Sequence, residues 1–365
     1  MAAIIGARQV GKSTLAGLVA SAWEGPVERF DLEDEADLAR VADPLRALRP
    51  LPGLVVLDEI QRVPQLFPAL RVLADRPDAP ARFLILASAS PELLQQSSET
   101  LAGRIAYREL GGFALDETGR ETPARLWRRG GFPRSYLARG EGQSFEWRRE
   151  FVRTFLERDL PQLGVNVSPR TMRRFWTMLA HYHGQVWNAS EFARSLGVAD
   201  TTVRSYLGHL ESALVVRQLQ PWHENISKRQ VKAPRVYLRD SGLLHALLNL
   251  PSQRDLEGHP KVGASWEGFV IDQVIRLLDA APEECWFWAT HAGAELDLLV
   301  HRGGRRLGFE VKLTSAPRTT RSMHIARQDL RLDRLDVIHA GTRTFDMAEG
   351  IRALALGDLV GVLGG

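Results

Sequence analysis

The run Gly6-Ala7-Arg8-Gln9-Val10-Gly11-Lys12-Ser13 constrains the fold of this chain more than any other stretch of it. It fits the pattern G-x-x-x-x-G-K-[ST]. The glycines let backbone N–H groups turn inward around phosphate oxygens. A helix starting near Lys12 then points its N-terminal dipole at them. Such a loop sits between a buried strand and a helix, which implies an α/β unit with a parallel sheet. Only Met1 to Ile5 stands ahead of it to supply that strand. The phosphate-binding set is Gly6, Gln9, Val10, Gly11, Lys12, Ser13 and Thr14. Lys12 is expected at the β- and γ-phosphates and Ser13 on Mg²⁺. The plainer alternative is a glycine-rich turn before a helix.

Lysine usage sharpens this reading. Only five of the 47 basic residues are lysines, and the rest are arginines. A lysine is a compact point charge and an arginine a planar fork, so a site that keeps a lysine has a chemical reason to. Two of the five, Lys12 and Lys312, fall in candidate sites. The 365 residues suggest two or three domains, and 44% hydrophobic residues can fill their cores. No stretch reaches the ~18 unbroken apolar residues of a membrane span. No secretory signal is apparent, and the single Cys285 rules out an internal disulfide framework. The expectation is a cytoplasmic protein without membrane contact. A net charge of +3 argues only weakly for a polyanionic partner.

Two further segments extend the nucleotide site. "GLVVLDEI", 53–60, is an apolar run ending in two acids and reads as a buried parallel strand. Asp58 is then placed to hold Mg²⁺ and Glu59 to polarise an attacking water. "RFLILASAS", 82–90, reads as another strand. Its Ser88 is either a γ-phosphate sensor or an ordinary strand-end serine.

These pieces resemble the AAA-type ATPases, and one bacterial and archaeal family among them. The resemblance rests on "GARQVGKSTL", "LDEIQRVP", "ILASASPELL", "LAGRI" and "RRGGFPRSYL", in that order along nearly the whole chain. It implies ATP and Mg²⁺ as ligands. It makes Arg104 of "LAGRI" a candidate arginine finger, a role that needs a homo-oligomer. The alternative is a salt-bridged surface arginine. The resemblance also implies a longer segment before the loop, carrying a full first strand and part of the base-binding surface. The ATPase core over 1–120 is therefore expected to be incomplete at its start.

Residues 121–165 read as a helical part and linker. Within them "FEWRREFVRTFLERDL" puts Phe151, Phe155 and Asp159 on one helix face. Residues 166–225 read as a winged helix, two short helices joined by "SLGVADTT" and then the strand "LVVRQLQPW". Asn188 or Ser190 is expected to cap the first helix and Asp200 the second. Leu196, Val198, Val203, Leu207, Leu210 and Leu214 mark the core face. Thr201, Thr202, Arg204 and Ser205 are the residues a DNA-reading helix would present. A protein-contact role is the alternative. Lys228, Arg229, Lys232, Arg235 and Arg239 form a better candidate for phosphate contacts, or else a solvated basic hairpin.

The last region, 226–365, places Glu267 on an amphipathic helix, Asp297 on a strand, and Glu310 and Lys312 two apart on the next strand. Period-two alternation puts Glu310 and Lys312 on one face and Phe309 and Val311 on the other. Two carboxylates beside an ammonium suggest a second Mg²⁺ site with a lysine to orient water. The order helix–Glu, strand–Asp, strand–Glu-x-Lys resembles the PD-(D/E)xK nuclease fold. That resemblance makes Asp297 and Glu310 the metal ligands, Lys312 the water-positioning group and Glu267 an assistant. Glu295 is a third ligand or a surface charge. The alternatives are a structural Glu–Lys pair on an edge strand, or a decayed nuclease kept as a binding platform. Arg318, Arg321 and Arg327 follow on a basic helix ahead of a final strand, and can flank a nucleic-acid groove or face solvent. His181, His183, His291 and His324 lack zinc-ligand spacing.

The expected whole is a P-loop AAA-type ATPase domain, a winged-helix middle and a C-terminal α/β restriction-endonuclease-like domain. Its expected function is Mg²⁺-dependent ATP hydrolysis that controls a nucleic-acid-binding, nuclease-like domain. The competing expectation is a nucleotide-switched adaptor for a protein partner.

Overall fold

Four consecutive apolar residues, Leu54 to Leu57, are at most 3% exposed. A strand shielded this completely on both faces belongs inside a parallel sheet. In the computed structural model, which describes residues 1–77, 80–88, 101–119, 122–224 and 230–364, it does. The chain divides into two compact units. One comprises Met1–Gly112, Thr154–Val167 and Gly208–Val215. The other comprises Phe113–Arg153, Ser168–Leu207 and Val216–Gly365.

Among the described residues the first unit holds a five-stranded sheet. Its strands are β1 (Ala2–Ile5), β2 (Val27–Asp31), β3 (Gly53–Asp58), β4 (Ala81–Ala87) and β5 (Ala106–Glu109). Their spatial order is β2-β3-β4-β1-β5, with every pairing parallel. The four residues of β1 thus suffice for a strand with neighbours on both sides. Alternation divides the core between the two faces. Val55 and Leu57 pack with Phe67, Phe83 and Ile85 on one side, and Leu54 and Val56 with Ile4, Ala16 and Leu86 on the other. Helix α1 (Lys12–Ser21) follows β1 through the glycine-rich loop. The order of the sheet places the ends of β1, β4 and β3 side by side, where ligands of parallel α/β sheets bind.

In the second unit the described residues form a nine-stranded sheet. The strands are β6 (Gln185–Val186), β7 (Val216–Pro221), β8 (Arg235–Leu238), β9 (Cys285–Ala289), β10 (Glu295–Arg302), β11 (Arg305–Lys312), β12 (Arg334–His339), β13 (Phe345–Ala348) and β14 (Ile351–Ala355). Their order is β13-β14-β12-β11-β10-β9-β7-β8-β6. Helices α2 (Glu141–Thr154), α3 (Pro169–His181), α4 (Ala189–Leu196), α5 (Asp200–Ser212), α6 (Val262–Leu277) and α7 (Arg321–Asp329) belong to this stretch of chain. A π-helical segment, Phe155–Asp159, continues α2 where the chain passes between units.

Several local expectations change. The strand at 334–339 is not the last, because β13 and β14 follow it. β11 is not an edge strand but pairs with β10 and β12. Asn188 occupies the N-cap of α4 without a side-chain bond, and Ser190 Oγ instead donates to Asp200 Oδ2 at 2.5 Å. Asp200 is the first residue of α5 and not its cap. On that helix Val203, Leu207 and Leu210 are buried, whereas Leu196 at the end of α4, Val198 in the turn between the helices and Leu214 after α5 are half-buried.

Arg148 ties α2 into its unit. It is 1% exposed and donates to the carbonyls of Ser144, Arg128 and Gly242 at 3.0–3.2 Å. Burial lowers its pKa to about 10. Arg148→Ala would strip three buried carbonyls of their donor and leave a void. We expect a loss of roughly 3 kcal/mol in urea unfolding. A change near zero would show that water replaces the guanidinium at no cost.

Candidate functional sites

The loop folds as its glycines require. Gly11 adopts φ 111° and Gln9 φ 63°. A Cβ on Gly6 would lie 2.4 Å from the Leu110 carbonyl oxygen, so only glycine fits between β1 and the chain leaving β5. α1 begins at Lys12 with no side-chain cap and no acid in its first turn, leaving its first N–H groups for a ligand. Ser13 and Thr14 are exposed beside them.

Lys12 is 4% exposed. Its ammonium donates to the carbonyls of Gly6 and Ala7, each at 3.1 Å, and to Ser88 Oγ at 2.8 Å. Burial lowers its pKa, with Glu59 and Asp58 working against that. Ser88 Oγ in turn donates to Glu59 Oε1 at 2.9 Å. Because β4 lies between β1 and β3, the serine just past its end bridges the lysine that follows β1 through the loop and the acid that follows β3. Gln61 Nε2 donates to the second oxygen of Glu59. Glu59 itself sits in the left-handed region at φ 56°. Strain of this kind in a non-glycine residue is concentrated at functional sites.

Ser13 Oγ donates to Asp58 Oδ2 at 2.7 Å. The other oxygen, Oδ1, is buried with no hydrogen-bond partner, and burial raises the carboxyl pKa. A cation next to Ser13 would satisfy that orphaned oxygen, so the residues fit a Mg²⁺ ion. Arg104 is not among these groups. It makes a two-pronged pair with Asp75, at 2.6 and 2.9 Å. Arg8, which carried no role in the sequence, is engaged. It donates to Asp159 at 2.7 Å and Gln162 at 2.6 Å, and also to Glu33. The motif leaves its position open, so no local signal pointed to it.

In the second unit Asp297, Glu310, Lys312 and Glu267 do come together, on β10, β11 and α6. Lys312 Nζ lies 2.7 Å from Glu310 Oε1. Burial alone would lower the lysine, but Glu310 offsets it and the pKa rises. Glu310 and Glu267 are both pushed up, first by burial and then by Asp297. Asp297 Oδ2 accepts from the Val311 N–H at 2.9 Å.

The unexpected member is Arg235, read from sequence as a phosphate-contacting surface residue. It is 7% exposed. Its Nη1 lies 3.2 Å from Asp297 and 3.6 Å from Glu267, and its Nη2 pairs with Glu295. Its guanidinium stands 5.0 Å from the Phe287 ring centroid. The chain reaches this place because Gln230 bridges to Thr290 and the Val231 N–H donates to the Ala289 carbonyl, which carries the lead-in to β8 past the end of β9. Tyr237, two residues on, donates to Glu267 at 2.6 Å. Among the described residues no three of the His, Cys, Asp and Glu side chains are arranged to hold a metal. As placed, these groups do not fit a second Mg²⁺.

The remaining basic candidates are dispersed. Lys228 and Arg229 lie outside the described residues, as does the whole of "SPELL", 90–94. Lys232 is exposed, as are Thr201, Arg204, Ser205, Arg318 and Arg321, while Thr202, Arg239 and Arg327 are half-buried. Arg327 pairs with Glu349 at 3.6 Å. No helix among the described residues is long and apolar enough to cross a membrane.

The parallel sheet, the loop and the Lys12–Ser88–Glu59 chain define an ATP-binding module of the AAA type. Comparison with known proteins agrees. A family model described as an AAA domain matches residues 1–119. Two models described as domains of unknown function, DUF8612 and DUF4143, match 120–254 and 262–359. The chain is 52% identical over 351 residues to the uncharacterized protein Rv2008c of Mycobacterium tuberculosis, covering 96% of this chain and 79% of that protein. The uncharacterized protein Mb2031c of Mycobacterium bovis matches with the same identity and coverage. At that identity and span the chain belongs to the same AAA-type ATPase family as these mycobacterial proteins. The crystal structure of protein VC1899 from Vibrio cholerae gives a TM-score of 0.16 at 10% identity, over 93% of this chain and 88% of that one, too low to carry an argument.

Proposed function

We propose that the chain binds and hydrolyses ATP with Mg²⁺, and that its nucleotide state controls a C-terminal nuclease-like domain that binds nucleic acid. The supporting observation is Asp58, bonded to Ser13 through one oxygen and left with a buried, unpartnered second one beside Lys12. Ser13 and Asp58 hold the Mg²⁺, which neutralises phosphate charge when bound. Lys12 leaves the loop carbonyls for the β- and γ-phosphates. Glu59 orients the attacking water and takes its proton.

A second reading, a nucleotide-switched adaptor with an inactive nuclease-like domain, has its own observation in Arg235. Phosphate release measured with supercoiled plasmid separates the two, beside Lys12→Ala and Lys312→Ala. The nucleic-acid reading expects DNA to raise turnover several-fold, an effect lost steeply between ~50 and ~200 mM salt. It expects no phosphate release from Lys12→Ala. Nicking that disappears in Lys312→Ala would establish cleavage. Hydrolysis indifferent to DNA, with no nicking, would put the adaptor reading first.

A further inference from the structure

We propose that the Arg235 guanidinium is the resident cation of the acid cluster on β10, β11 and α6. It stands where a divalent metal would bind, and its removal opens a metal site on Asp297, Glu267 and Glu310. The inference deepens the adaptor reading. It is tested without nucleotide, so its failure and that of the ATPase reading are told apart.

The argument is one of charge and space. Asp297, Glu267 and Glu310 are carried on buried backbone, and Glu310 and Asp297 are themselves buried. Carboxylates held this way need compensating charge. Lys312 supplies some of it, most directly to Glu310 at 2.7 Å and at longer range to Asp297 and Glu295. The other positive charge comes from Arg235, whose two terminal nitrogens reach three carboxylates. Its fork of donors suits several oxygens at hydrogen-bond distance, and it does not lose its proton near neutral pH.

Mg²⁺ demands something else, near-octahedral oxygens at about 2.0–2.1 Å, some of them water. Asp297 Oδ1 faces the Arg235 guanidinium at 3.2 Å, whose charge and bulk keep a second cation away from it, while Oδ2 accepts from the Val311 N–H. Glu310 Oε2 is buried with no partner, a leftover acceptor that the guanidinium does not reach. That orphaned oxygen, with Asp297 Oδ1 and Glu267 Oε1 once released, makes the latent ligand set. A tethered cation also competes at high effective concentration, so dissolved Mg²⁺ does not displace it.

The test is a titration of the full chain with Mn²⁺, followed by the electron paramagnetic resonance of the free ion. Wild type and Asp297→Asn should give superimposable curves. Arg235→Ala should gain one Mn²⁺ site that neither of those two shows, about tenfold or more tighter than any Mn²⁺ binding they share. That site should vanish in Arg235→Ala/Asp297→Asn. Arg235→Met, which keeps the stem over Phe287, serves the same purpose if the alanine variant unfolds. A wild-type Mn²⁺ site that Asp297→Asn or Glu310→Gln abolishes would overturn the proposal. So would a folded Arg235 variant with no new site. The comparison of wild type with Asp297→Asn decides even if neither Arg235 variant folds.

Discussion

Lys12→Ala is expected to abolish nucleotide binding, raising the ATP dissociation constant at least ~100-fold, because it removes two or more charge-assisted hydrogen bonds to phosphate. This ammonium is almost fully desolvated and held by neutral oxygens, those of Gly6, Ala7 and Ser88. Burial already disfavours its charged form. On the proposed reading, exchanging these neutral carbonyls for charged phosphate oxygens is the source of the affinity. The same reasoning limits the damage to the fold. Among the described residues the lysine makes no direct ion pair that its loss would break, so the expected cost to the fold is that of two buried carbonyls losing one donor. Isothermal titration with ATP and Mg²⁺, beside a urea unfolding curve, checks both halves. ATP affinity within threefold of wild type would remove Lys12 from the phosphate site. A collapse of stability would make it a structural lysine.

How much of this could be read in the sequence depended on distance along the chain. The loop was legible because its requirements are local, in glycines, a lysine and a hydroxyl within eight residues. The runs that became β3 and β4 were legible because a strand buried on both faces is apolar throughout. The C-terminal acids were legible in outline, since alternation put Glu310 and Lys312 on one face. Arg235 was not. It lies in a basic stretch that reads as a solvated hairpin, and its partners are 32 to 62 residues away on elements it meets only through the path past β9. Arg8 failed for the same reason, with its Asp159 partner 151 residues on. A buried cation carries no periodicity of its own, and nothing in its neighbours in sequence separates it from a surface one. The edge-strand alternative for Glu310 fell because β10 and β12 flank β11 on both sides, β12 being the strand read after the basic helix but given no neighbour in the sequence. What the chain hides is therefore its charge pairing, and that pairing decides what the C-terminal domain can do.

Glu59→Gln should leave ATP binding within about threefold of wild type and lower turnover by about 10²–10⁴, the range a positioned general base contributes. The change is nearly isosteric, and the surrounding bonds can survive it. Ser88 can still donate to the amide oxygen at position 59. The amide nitrogen there can face Gln61 once Gln61 presents its own oxygen. What is lost is basicity at an atom held by strain. At φ 56° the backbone of Glu59 is costly, by about 1–3 kcal/mol for such a residue, and it persists because β3 and the turn after it fix the carboxylate beside Ser88. The chain from Lys12 through Ser88 to Glu59 gives this residue its link to the nucleotide. On the proposed reading Lys12 exchanges Ser88 for phosphate, while Glu59 keeps its bonds from Ser88 and Gln61 and would accept a water on its remaining lone pairs. Single-turnover phosphate release with prebound ATP isolates that step from binding. Release at the wild-type rate would transfer the role of base elsewhere and leave Glu59 as a strained turn residue.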